Sequence, residues 1–128
     1  DETIEFGVIN QHVAGIAHKY TYSMIPTKGH FTFDGITKHN HQNNSLSKYL
    51  FPEHIFISEV SFAPRTNSVD EDDGYLVTIS NDVLDNQSSC LLFDAKNIEQ
   101  GPVCEIPLPH QICSGTHATW AQKSDLKR

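Results

Sequence analysis

Apolar and polar residues do not recur along this chain at helical spacing. They fall into short runs rich in β-branched and aromatic residues, separated by polar, turn-forming stretches. The runs predict strands over Tyr20–Met24, Phe31–Lys38 with a bend at Gly35, Ile55–Phe62, Tyr75–Ser80, Cys90–Asp94, Val103–Leu108 and Thr116–Ala121. Ile55–Phe62 reads IFISEVSF and alternates as one strand. The stretch His39–Ser47, HNHQNNSLS, is polar enough to predict a long loop. Residues 71–108, EDDGYLVTISNDVLDNQSSCLLFDAKNIEQGPVCEIPL, read as a three-stranded β-meander. Such strands bury one face and need more sheet around them. No linker or domain boundary interrupts the series.

The pattern therefore predicts an all-β chain. Propeller blades have four antiparallel strands and span roughly 40–45 residues. On that scale the chain holds about two or three blades, where a closed propeller needs at least about four. The chain is then either a small sheet domain or a piece of something larger.

Charge and composition narrow the function classes. The 128 residues carry 9 Lys+Arg against 16 Asp+Glu, a net charge of −7. That balance argues against a nucleic-acid surface, which needs a basic patch. No apolar run approaches 18 residues, so no transmembrane helix is expected. The N-terminal DETIEFGVIN lacks the regions of a signal peptide. Three scattered cysteines, Cys90, Cys104 and Cys113, suit a reducing compartment better than a disulfide framework, so the expected location is cytoplasmic.

Candidate chemistry centres on the eight histidines. In LPHQICSGTHATW, His117 sits between small and branched residues, so its ring is free to reach a partner. A metal ligand and a sheet-edge histidine bonded to backbone both fit. Glu59 lies inside a strand pattern, where a carboxylate is costly to bury unless paired; a solvated face is the other reading. The acidic run Asp70–Asp73 is not an EF-hand: counting from Asp70, the twelfth position, which needs Glu, is Asn81. A solvated turn ending in Gly74 is expected instead. Cys113 and His117 have the spacing of half a zinc site but lack a second close pair. His39 and His41 read as surface residues, and His110 as structural. There is no Gly-rich phosphate loop and no Ser or Cys nucleophile with recognisable partners.

An ordered set of motifs then becomes specific. Glu59 precedes Pro64–Arg65, followed by Glu71–Gly74, Leu91–Lys96, Leu108–His110, Gly115–His117 and Trp120. Upstream stand EFGVIN from Glu5, Gly15 with YTY, and HFTFDGITKHN. Together they resemble the C-terminal part of the carotenoid cleavage oxygenases, a family that includes apocarotenoid and stilbene-cleaving dioxygenases and the retinal pigment epithelium isomerohydrolase. The likeness covers essentially the whole chain. Gly7 stands where the family often has Pro, and Cys113-Ser114-Gly115-Thr116 replaces the commoner Pro-Tyr-Gly-Phe.

The resemblance implies a seven-bladed β-propeller with ferrous iron on its axis, held by four histidines. Residues 1–128 would be the C-terminal portion of that single domain, an incomplete fragment inactive alone. His117 would be the catalytic iron ligand present here, and neutral imidazole suits Fe(II). Glu59 and Glu5 would accept ring N–H bonds from iron-bound histidines, with Glu59 paired to His117. The implied reaction is O2-dependent cleavage of a conjugated C=C bond in a carotenoid, apocarotenoid or stilbene-like substrate. The implied partners are that polyene and O2, with no nucleic acid; any peripheral membrane contact would come through regions outside this sequence. An isomerase-type member and a non-catalytic β-sheet binding module remain as alternatives.

Overall fold

Two hairpins of the same construction organise the chain. In each, a four-residue connection ends in an asparagine with left-handed backbone: Asn44 at φ 54° and Asn86 at φ 55°. Asparagine tolerates that conformation better than other non-glycine residues. Side chains cap the turns locally. Asn40 Oδ1 accepts the Gln42 N–H, and Asp82 Oδ1 accepts the N–H groups of Leu84 and Asp85. Those two bonds hold the Asp82 carboxyl below its usual range, the Asp85 bond most strongly.

The computed structural model describes residues 3–113, 115, 117–123, 125 and 126. Among them are nine strands: β1 Glu5–Val8, β2 Tyr20–Pro26, β3 Phe33–Asn40, β4 Ser45–Leu50, β5 Ile55–Ile57, β6 Ser61–Pro64, β7 Gly74–Asp82, β8 Gln87–Asp94 and β9 Pro102–Pro107. All pairings are antiparallel. β1–β2–β3–β4 form one four-stranded meander. In the second, β5 and β6 lie end to end along β7, followed by β8 and β9. The single bridge Phe33↔Ile57 joins the two. Each meander has the four antiparallel strands of a propeller blade.

Three expectations need correction. His39–Ser47 is not a long loop but the end of β3, a tight turn and the start of β4. β4 is an outer strand with mostly exposed residues, so it carries no apolar pattern to reveal it. Ile55–Phe62 is not one strand. Between the partners Ile57↔Ser80 and Ser61↔Val77, three residues of this segment (58–60) face two of β7 (78–79). The extra residue is a bulge, which breaks the alternation and turns the local side chains. Thr116–Ala121 is not a strand over its described residues 117–121; Thr116 lies outside the described residues.

The core fills the space between the meanders. Tyr22, Met24 and Ile36 from the first meet Ile57, Phe62, Leu76 and Phe93 from the second, all nearly inaccessible. The Tyr22 and Phe62 rings stack at 5.7 Å. Tyr22 donates its hydroxyl proton to the Ala95 carbonyl at 3.1 Å. Burial, then the Asp72 carboxylate, pushes the Tyr22 hydroxyl well above the ordinary tyrosine range, so it stays a donor.

The acidic turn is used rather than merely solvated. Glu71 accepts the backbone N–H groups of Lys19 and Tyr20 at 2.8 Å. Asp72 pairs with the buried Lys38 ammonium at 2.7 Å, and that ammonium also lies 4.2 Å from the Tyr20 ring centre. Asp73 meets Arg65 and Asp70 meets Lys96. The Lys96 bond draws the Asp70 carboxyl down. Glu71 and Asp72 thus clasp the first meander onto the second. Gly74, closing the turn, has no room for a side chain: a Cβ would sit 2.6 Å from the Ala63 carbonyl oxygen. No helix among the described residues is long and apolar enough to cross a membrane.

Candidate functional site

Beyond Leu108, whose N–H still bonds the Ser88 carbonyl, the described residues after β9 return across the second meander outside its strands. Buried side chains hold them instead. Ser88 Oγ accepts the Ile112 N–H at 2.9 Å, and Ser58 Oγ accepts the Gly115 N–H at 3.0 Å. Ser58 and Glu59 both belong to the bulge between β5 and β6, and both reach this segment. Glu59 Oε2 accepts the Ala118 N–H at 2.8 Å and lies 3.3 Å from His117 Nδ1. The bulge is therefore what aims two consecutive polar side chains at the chain crossing over it.

The structure brings His117 and Glu59 together across 58 residues of sequence. The Glu59 side chain is only 12% exposed, whereas the imidazole is 70% exposed. A largely sheltered carboxylate faces an open ring. With Nδ1–H donated to Glu59, Nε2 keeps its lone pair for another partner. Glu5 is not part of this contact; it is exposed on β1 opposite Met24.

The other side of the ring meets Phe6, edge to face at 5.5 Å and 83°. Phe6 packs in turn on Phe33 at 5.7 Å. Sequence reasoning did not single out Phe6. Its backbone has φ 51°, in the left-handed region. Between the partners Glu5↔Met24 and Val8↔Tyr22, two residues of β1 face one of β2, so β1 is also bulged. Glycine is the usual residue at a left-handed bulge position, and a bulky side chain there costs on the order of 1–2 kcal/mol. The preceding and following residues, Glu5 and Gly7, gave no sign of it.

Beside His117 lies a cavity of about 240 Å³. Val77 and Ile79 of β7, with Ile112 and Trp120, give it apolar walls, and Glu59 and His117 its polar edge. Cys113 also borders it. The remaining histidines singled out lie elsewhere. His39 and His41 meet edge to face at 4.5 Å in the first hairpin, where His39 Nε2 meets Asn44 and His41 Nε2 meets Thr21. His110 is exposed after β9.

A metal centre needs more donors than meet here: among the described residues, no three histidine, cysteine or acidic side chains converge on one point. As a single ligand, however, His117 fits. Its ring is accessible, one nitrogen is anchored on a carboxylate, and the other has no hydrogen-bond partner among the described residues, which is the arrangement metal-binding histidines adopt.

Known proteins resemble the chain over nearly its whole length. The sequence model of the retinal pigment epithelial membrane protein family matches residues 1–122. Carotenoid cleavage oxygenase 1 of Neurospora crassa is 28% identical over 142 residues, covering 98% of this chain and 27% of that protein. Apocarotenoid-15,15'-oxygenase of Synechocystis is 28% identical over 120 residues, covering 92% and 24%. Lignostilbene-alpha,beta-dioxygenase isozyme III of Sphingomonas paucimobilis is 29% identical over 96 residues, covering 75% and 20%. The chain thus spans about a quarter of the length of these relatives. The crystal structure of cobalt-substituted Synechocystis apocarotenoid oxygenase superposes with a TM-score of 0.86 at 26% identity, covering 95% of this chain and 26% of that one.

Proposed function

This chain belongs to the retinal pigment epithelial membrane protein family, the carotenoid cleavage oxygenases, and from that premise we propose that it is part of a non-haem Fe(II) dioxygenase. Residues 1–128 form the C-terminal portion of its single propeller domain. The reaction is cleavage, with O2, of a conjugated C=C bond in a carotenoid, apocarotenoid or stilbene-like substrate to give two carbonyl products. The names of the relatives support the reaction class. The single observation that carries the reading is the contact of Glu59 with His117 Nδ1 beside an apolar cavity.

The residues divide the work by their chemistry. Glu59 accepts the Nδ1–H of His117, fixing the tautomer and leaving Nε2 as the metal donor. Its negative charge makes the imidazole a stronger base and offsets part of the metal charge. The Ala118 N–H on the same oxygen holds the carboxylate in place. Iron held by His117 and further ligands would bind and activate O2, while the cleaved double bond itself supplies the electrons that reduce both oxygen atoms to carbonyl oxygens. Val77, Ile79, Ile112 and Trp120 offer a flat apolar substrate a surface and keep water from it. One ligand cannot hold a metal in a defined geometry, so the 128 residues alone bind no stoichiometric iron and are inactive.

The test uses the full-length protein that contains this chain. It should purify with iron and show O2-dependent loss of polyene absorbance, both abolished by chelation and restored by ferrous iron. Absence of iron and of turnover would leave a non-catalytic binding module. Iron with isomerised but uncleaved polyene would point to an isomerase.

A further inference from the structure

Phe6 holds a backbone conformation that works against its own side chain. Its φ of 51° lies where glycine is at ease and a bulky residue is not. Such strain persists only where neighbouring structure imposes it, and it gathers at functional sites. At Phe6 the outcome is specific: the bulge of β1 turns the phenyl ring onto the His117 imidazole at 5.5 Å, nearly perpendicular.

His117 needs such a contact. Its side chain is 70% exposed, so few neighbours limit its rotation. The bond from Nδ1 to Glu59, at 3.3 Å, fixes one point of the ring. The covalent bond from Cβ fixes a second point, and a ring held at these two still turns about the line through them and sweeps Nε2 through an arc. An edge-to-face contact constrains the ring plane, which the hydrogen bond leaves free. Phe33, 6% exposed and perpendicular to Phe6 at 5.7 Å, backs the phenyl ring from the core. The order of support is then core to Phe33, Phe33 to Phe6, and Phe6 to His117.

We propose that Phe6 is a positioning residue that sets the plane of the His117 imidazole and thereby the direction of Nε2 toward the metal. The inference rests on the proposed metal-ligand role of His117. An aromatic pair contributes enough to change affinity about two- to tenfold.

Cobalt(II) is the probe, because its visible absorption reports ligand geometry independently of turnover. The full-length protein is stripped of metal and titrated with cobalt as wild type, Phe6→Leu and Phe6→Tyr. Leucine fills the space without a ring; tyrosine keeps the ring. Thermal unfolding of each metal-free protein checks the fold. Phe6→Leu should bind cobalt about two- to tenfold more weakly with an altered visible spectrum, and Phe6→Tyr should match wild type. If Phe6→Leu matches wild type in affinity and spectrum, or if both variants fall by the same factor, Phe6 does not orient His117 and the proposal is overturned. A wild-type protein that binds no cobalt would instead overturn the metal-ligand reading itself.

Discussion

The β7–β8 hairpin and the margin around His117 are built in opposite ways. Along β7 and β8, eight successive partners run from Tyr75↔Asp94 to Asp82↔Gln87 without a slip. Leu76, Leu91 and Phe93 point from this ladder into the core, each 4% exposed or less. Around His117 regularity fails three times. β1 slips at Phe6, the β5–β6 segment carries an extra residue at 58–60, and residues 117–121 join no strand. The difference is instructive. A regular ladder sends alternate side chains to two faces and cannot aim neighbours at one target. A bulge can, and both bulges here deliver a side chain to the same imidazole. The ladder carries stability; the interruptions carry the candidate chemistry.

That division is broken most sharply by a change in the ladder. Phe93→Ala removes a ring with no exposed surface, packed on Tyr49 and Phe51. It should cost about 3–5 kcal/mol in urea unfolding of the full-length protein. Iron bound per folded molecule should not change. Glu59→Gln is the converse. It keeps the shape and removes the charge, so iron affinity measured by chelator competition should fall about 10–100-fold. The unfolding midpoint should stay near wild type. Ser58→Ala sharpens the comparison by a smaller step. It removes the acceptor for the Gly115 N–H and should release about 0.5–1.5 kcal/mol of hold on the crossing segment. Limited proteolysis across residues 111–121 should speed up accordingly, with cleavage elsewhere unchanged.

What the sequence made legible follows the same boundary. The 71–108 meander was readable because β7 and β8 alternate buried and more open positions and turn residues set off the exposed β9 that follows. The β3–β4 hairpin was hidden because an outer strand with exposed residues carries no alternation. Its one available sign was Asn43-Asn44, a pair suited to a left-handed turn. IFISEVSF misled for a deeper reason. Its alternation is real in the sequence, yet Ser58, Val60 and Ser61 are all buried, because the bulge lets both faces of the segment turn inward. His117 and Glu59 were legible through the ordered motifs they belong to, and their contact spans 58 residues that no local pattern relates. Phe6 was illegible because strain belongs to the backbone, and the sequence pattern did not predict β1 over Glu5–Val8 at all.

The central claim is that His117, anchored by Glu59, is a ligand of the catalytic metal. The most direct measurement is the iron content of purified full-length His117→Ala beside wild type, with circular dichroism to confirm that the sheet remains. The account predicts loss of bound iron with the β-signal preserved. Wild-type iron in a folded His117→Ala protein would contradict it.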